Sequence, residues 1–226
     1  MWCVAELDRD YITRMEDVLR TYERPYSSAE PVVCFDEKPI TLHDHVRPPV
    51  PAAPGRIARC DSEYKRCGIA NVFCAVEPKA GIHFTRPTAN RTAPEFAQAV
   101  AQIVLAYPFA RRIHLVMDNL NIHCQKSLTD YFGQAIGHYL WSRLKVHYTP
   151  KHGSWLNQAE IEISLYSRKC LGRRRIATLE ALTHESLAWN RKMNRDRVQI
   201  DWRFTRKQAR AKFGYAQSPL LLRSQT

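Results

Sequence analysis

The sequence predicts a mixed α/β domain, one sheet covered by helices, and three observations support that expectation. Short apolar runs, VVCF at residues 32–35 and IHLVM at 113–117, have the length of buried strands, and each stops at an acid. Other segments repeat apolar residues every three or four positions, the period of a helix with one buried face. The order along the chain is strand, hairpin, helix, strand, helix, strand, helix, helix, which builds a sheet with helices packed on it.

Each element has a local reason. Residues 5–23 place Ile12, Met15, Val18, Leu19 and Tyr22 on one helical face, and RPYSSAEP breaks that helix. VVCF is a short strand reaching Asp36. Across most of residues 38–65, Pro39, Pro48, Pro49, Pro51 and Pro54 exclude a regular element. Residues 70–89 form two β-rich runs around PKAG, a hairpin signal. Thr92 is placed to cap a helix that ends at Pro108, and the strand through Ile113, Leu115 and Met117 then delivers Asp118. A helix is expected over 127–144, a strand over 145–149 stopped by Pro150, and a helix over 155–170 capped by Ser154 and ended by Gly172. Residues 178–194 read as a helix, 198–204 as a strand and 205–215 as a last helix.

Composition narrows the function classes. With 45% hydrophobic and 25% charged residues, the 226-residue chain can bury a real core, which excludes wholesale disorder. No apolar run is long enough to span a membrane, and MWCVAELDRD carries acids where a signal peptide carries bases. The expectation is a soluble cytoplasmic protein with no membrane partner. Seven cysteines, odd in number and without CxxC, point to reduced thiols rather than disulfides or zinc. The net charge of +12 is uneven: residues 151–226 hold 16 Lys and Arg against 6 Asp and Glu. A basic stripe of that kind suits phosphate neutralisation, so DNA is the expected partner.

Three carboxylates stand out from separate elements: Asp36, Asp118, and either Glu160 or Glu162. Hard oxygen donors converging from different elements suit Mg²⁺. Helical periodicity does not choose between the two glutamates, because both flank the stripe Leu156, Ala159, Ile163, Tyr166, Cys170 on opposite sides. Read as surface acids, both would tolerate Gln with little loss of stability.

The segments VVCFDEKPI, VMDNLNIH and HYTPKHGSWLNQAEIEISLYSRKCL, in this order, resemble the catalytic domain of prokaryotic insertion-sequence transposases of the mariner superfamily. The resemblance runs from about Trp2 to about Tyr215. It implies a ribonuclease H-like fold and a DDE enzyme for metal-dependent cleavage and transfer of DNA strands. Asp36 resembles the first catalytic aspartate. Asp118, followed by Asn119 and His123, resembles the second. Glu160, in LNQAE, matches the family pattern of Asn, two residues and then the catalytic Glu. These three would then bind two Mg²⁺ ions, with Mn²⁺ as substitute. The implied partners are transposon ends, target DNA and a second copy of the chain, a homodimer on DNA. Residues 39–62 would reach across to that copy.

Two departures qualify the match. The interval from Asp118 to Glu160 is wider than in compact members. Full-length relatives carry helix-turn-helix modules ahead of the catalytic domain, so this reading is of a truncated gene or the second frame of a split one. The expected division is a linker helix over 1–30, the catalytic domain over 31–215 and a tail over 216–226. The rival functions are a structure-selective nuclease of the same fold and a catalytically silent DNA-binding remnant. Candidate DNA contacts are Asn119, His123, Lys151, His152 and the cluster Arg173, Arg174, Arg175, with His147 beside the same path.

Overall fold

The computed structural model describes residues 7–215; the expected tail and the first six residues lie outside that range. A five-stranded sheet runs in the order β3-β2-β1-β4-β5. Strand β1 (Val32–His45) pairs antiparallel with β2 (Tyr64–Glu77), which pairs antiparallel with β3 (Ile82–Thr88). On its other side β1 runs parallel to β4 (Ile113–Met117), and β4 runs parallel to β5 (Leu144–Tyr148).

Strand alternation divides the core. Val33, Phe35, Phe73, Ala75, Ile113, Leu115 and Met117 project to one face. There they meet α2 (Ala93–Ala106), α3 (Gln125–Phe132) and α4 (Gln134–Ser142) through residues such as Phe96, Leu128 and Leu140. Val72 and Cys74 project to the other face, against α5 (Ala159–Leu165), a π-helical turn at Tyr166–Leu171 and α6 (Leu179–Asp196). Cys34, Val76 and Val116 share that face with α1 (Arg9–Glu23) and α7 (Arg206–Phe213). Helix α1 starts where Asp8 accepts the Tyr11 amide at 2.7 Å, and it buries Tyr11, Met15, Val18, Leu19 and Tyr22.

The outer edge of β3 is held by α6 side chains. Asn194 Oδ1 accepts the His83 amide at 2.7 Å and Asn194 Nδ2 donates to the His83 carbonyl at 2.9 Å. Asn190 makes the same pair of bonds with Thr85, at 2.9 and 3.0 Å. At the β2–β3 turn, Gly81 has φ +63°, and an added Cβ would lie 2.5 Å from the Arg197 carbonyl carbon. That position requires glycine on both counts.

Several sequence expectations need correction. Strand β1 does not stop at Phe35 but runs to His45, so the connection shrinks to residues 46–63. Pro39 is tolerated because β4 accompanies β1 only as far as Cys34, leaving Pro39 on a stretch with one open edge. The helix expected over 127–144 is two helices, broken where Gly133 adopts φ +81°. Residues 198–204 form no strand. Their alternation comes from extended chain laying Val198, Ile200, Trp202 and Phe204 on the core, with the Ile200 amide donating to the Pro78 carbonyl at 3.0 Å. The helix expected over 155–170 begins as a single 3-10 turn, Ser154–Leu156, breaks at Asn157 and resumes as α5. All six described cysteines are free thiols.

Candidate active site

The parallel register of β1 and β4 builds the centre of the site. Cys34 is paired with Val116, so two residues farther on the neighbouring chains carry Asp36 and Asp118 on the same face. Glu160, in the first turn of α5, is exposed beside them. The same alternation turns Glu37 to the opposite face, where it is buried.

Asp36 records the crowding. Burial, with the nearby charges of Glu160, Glu37 and Asp118, raises its pKa to about 7, although the Glu37 amide donates to its Oδ1 at 2.8 Å. Asn157 ties this acid to the helix: its Nδ2 donates to the Phe35 carbonyl at 2.8 Å and lies 3.4 Å from Asp36 Oδ2. Asn157 Oδ1 in turn accepts the Ala159 amide at 3.1 Å, at the start of α5. A carboxylate cluster that suppresses its own ionisation fits a hard divalent cation, which takes oxygen donors. Among the described residues, the donors that all close to within 4.8 Å are Glu37, Asp118 and His123; Asp36, Asp118 and Glu160 stand farther apart.

His123 is 1% exposed, not a surface residue able to meet a phosphate directly. Its Nε2 donates to Glu37 Oε1 at 2.6 Å. Nδ1 donates to the Asp118 carbonyl at 3.0 Å and lies 2.7 Å from Asp118 Oδ1. Burial opposes its charge, but the Asp118 and Glu37 carboxylates prevail and raise its pKa to about 10. The ring is therefore an imidazolium at neutral pH.

The two glutamates that periodicity left equal are not equivalent. Glu160 is exposed, whereas Glu162 is 1% exposed and accepts from His83 Nδ1 at 2.7 Å and Trp189 Nε1 at 2.8 Å. The expectation that both are surface acids fails for Glu162. Its side chain fastens α5 to β3 and α6.

Asn119, Lys151 and His152 are exposed, and with Asp118 they line a cleft of about 500 Å³ that Arg14 of α1 also borders. His152 holds a left-handed φ of 61°, uncommon for a residue with a side chain. His147 is not beside this path: it is 3% exposed and bonded to Asp17 at 2.6 Å. In the arginine cluster, Arg173 is exposed, but Arg174 pairs with Glu185 at 2.8 Å and Arg175 bonds His45 and the Asp61 carbonyl. Sequence reasoning gave no role to Glu37 or Asn157. The signals were present: Glu37 follows Asp36 on a strand, and Asn157 is the Asn of LNQAE.

A sequence profile of the DDE superfamily endonucleases matches residues 31–183, which include Asp36, Asp118 and Glu160. The chain belongs to the DDE superfamily endonucleases. No curated protein sequence matches it. The fold of this DDE-family chain is ribonuclease H-like and resembles solved structures of the mariner transposase Mos1. A Mos1 paired-end complex with Mn aligns at TM-score 0.54 and 16% identity, over 86% of this chain and 60% of that one. The Mos1 strand transfer complex aligns at 0.56 and 17% identity, over the same shares, 86% and 60%. A pre-cleavage Mos1 transpososome aligns at 0.51 and 16%, over 89% and 67%. The chain thus spans about 60% of the length of the first Mos1 structures it matches. No helix among the described residues is long and apolar enough to cross a membrane.

The raised Asp36 pKa fixes a sign. Between the ordinary carboxylate value of 3.8 and about 7, the folded state holds a proton that the unfolded state has lost. Stability without metal should fall across that window as pH rises, and Asp36→Asn should flatten the fall in a series of thermal melts. Mg²⁺ or Mn²⁺ should raise the melting temperature most at and above pH 7, and Asp118→Asn should blunt that gain. Equal metal responses in the parent and Asp118→Asn would remove Asp118 from the site.

Proposed function

We propose that the chain is the catalytic domain of a transposase, performing metal-dependent DNA cleavage and strand transfer. Asp36, Asp118 and Glu160 are the catalytic acids and hold two Mg²⁺ ions, replaceable by Mn²⁺. The carrying observation is the register that sets Asp36 and Asp118 side by side, with Glu160 exposed at the helix facing them. When bound, such a metal pair stabilises the attacking and leaving oxygens of an in-line phosphoryl displacement. The protein's own part is orientation. Asn157 holds Asp36 against the start of the Glu160 helix. Lys151 and His152, with Asn119, flank the cleft beside Asp118, where their donors would meet the DNA backbone. No Ser, Cys or His nucleophile is required.

The DNA partners proposed are transposon ends and target, by analogy with the Mos1 complexes, one of which contains the left transposon end. A homodimer on DNA is part of the same reading. Its observation is the exposed arm of residues 46–63, closed by bridges Val50–Arg59 and Ala53–Arg56 and anchored at its base by Arg175. The cytoplasm is the proposed compartment.

Glu160→Gln should leave the melting temperature nearly unchanged and slow Mg²⁺-dependent nicking of supercoiled DNA by about a hundredfold or more. Glu162→Gln should do the reverse: it loses about 1–3 kcal/mol of stability from its His83 and Trp189 bonds and nicks normally below its melting range. No nicking by the parent, even beside supplied helix-turn-helix modules and element ends, would favour the silent remnant. Nicking without strand joining would favour a nuclease.

DNA affinity should fall steeply with salt. Arg173→Ala should reduce the slope of log K against log salt by about 0.9, the value of one phosphate contact. Arg174→Ala should reduce it less, because Glu185 already engages that guanidinium. Equal slopes for the parent and Arg173→Ala would move the binding surface elsewhere. For the arm, deleting 46–55 should lower the mass of the DNA complex by light scattering; an unchanged mass would discard its role in pairing.

A further inference from the structure

The acids account for metal and the arm for pairing, but neither explains why a histidine is buried behind the site between Glu37 and Asp118. We propose that His123 is a positioning residue, setting the spacing of Asp36 and Asp118 through an unbroken chain of polar contacts. The inference rests on the metal-site reading above and deepens it.

The chain has four members. The Glu37 amide donates to Asp36 Oδ1 at 2.8 Å, Glu37 Oε1 accepts His123 Nε2 at 2.6 Å, and His123 Nδ1 lies 2.7 Å from Asp118 Oδ1. Asp36 and Asp118 sit on adjacent strands beyond the last paired residues, where no ladder bond fixes their separation. The imidazole replaces that missing restraint. Its own position is fixed on every side. Phe96 stacks on the ring at 4.7 Å between centroids, Phe35 meets it edge-on at 5.8 Å, and Tyr148 donates to the His123 carbonyl at 2.7 Å.

The same atoms argue against His123 as a metal ligand, although Glu37, Asp118 and His123 are close enough to suggest one. A ligating imidazole must offer a lone pair with room for an ion roughly 2.0–2.2 Å away. Here both ring nitrogens are within 2.7 Å of carboxylate oxygens. With each nitrogen directed at a carboxylate, the ring has no free donor direction. It acts on the metal through Asp118, as an outer partner that orients a ligand.

The test is Mn²⁺ binding by the full chain, measured by calorimetry and by electron spin-echo spectroscopy of the bound ion. His123→Gln cannot donate at both ends, and it should weaken Mn²⁺ binding by about ten- to a hundredfold, the usual range for an outer-shell partner. Nicking should recover toward the parent rate as Mn²⁺ is raised. Glu37→Gln, which keeps the acceptor oxygen and the shape, should show a smaller loss in the same direction. Glu77→Gln is the control: it also alters a buried carboxylate, the acceptor of the Tyr107 hydroxyl at 2.9 Å, so its melting temperature falls, but its Mn²⁺ affinity should match the parent. The spectrum of the parent should show no directly bound nitrogen. Parent-like affinity in His123→Gln, or a nitrogen ligand in the parent, overturns the proposal. If His123→Gln does not fold, parent-like affinity in Glu37→Gln overturns it. A parent chain that binds no Mn²⁺ fails the metal reading itself, a result distinct from binding that is insensitive to His123.

Discussion

The crowding of carboxylates on two neighbouring chains, Asp36 within β1 and Asp118 just past the end of β4, is the constraint around which this site is arranged. The β1–β4 register brings Asp36 and Asp118 onto neighbouring chains, and it also seats Val33, Phe35, Leu115 and Met117 in the core. Hydrophobic burial, worth about 25 cal/mol for each Å² of apolar surface removed from water, thus holds the two strands that carry the acids together. What remains is local relief. On one side the imidazolium of His123 stands between Glu37 and Asp118; on the other the Asn157 amide turns its donor toward Asp36. Burial first, and then the neighbouring carboxylates, still leave the pKa of Asp36 raised to about 7.

A second layer of polar contacts joins the chain's ends to the sheet. Glu16, 2% exposed, takes two bonds from Arg210 at 2.8 and 2.6 Å and one from Tyr215 at 2.9 Å, fastening α7 to α1. Asp17 holds His147, whose Nε2 lies 2.9 Å from His114 Nδ1, so α1 is fixed to β5 and β4 as well. Burial, and then the neighbouring His147, lowers the pKa of His114 to about 4. Helix α1 borders the cleft beside Asp118, so these bonds also fix one wall of the site.

The legible part of the fold was the part governed by period and punctuation. Ile113, Leu115 and Met117 alternate because a buried strand does, and Thr92 stands at the N-cap of α2, as its sequence suggested. The illegible part depended on neighbours. Nothing local to Pro39 says that β4 stops alongside Cys34, and nothing local to Val198, Ile200, Trp202 and Phe204 says that their alternation meets helices rather than a strand. Glu160 and Glu162 differ only in what lies across from them. His83 and Trp189, distant in sequence, decide that Glu162 is interior. The resemblance to the mariner family selects Glu160 from the LNQAE pattern, and the two glutamates differ in burial, Glu162 lying inside and Glu160 at the surface.

The two asparagines on α6 that bond the backbone of β3 have an effect beyond fastening a helix. An uncovered sheet edge is a template on which another chain can add a strand, by design or by aggregation. At His83 and Thr85, Asn190 and Asn194 already satisfy the amides and carbonyls that such a strand would need. Side-chain amides thus imitate the neighbour that the sheet lacks. Another strand cannot extend the sheet at that edge without first displacing a helix.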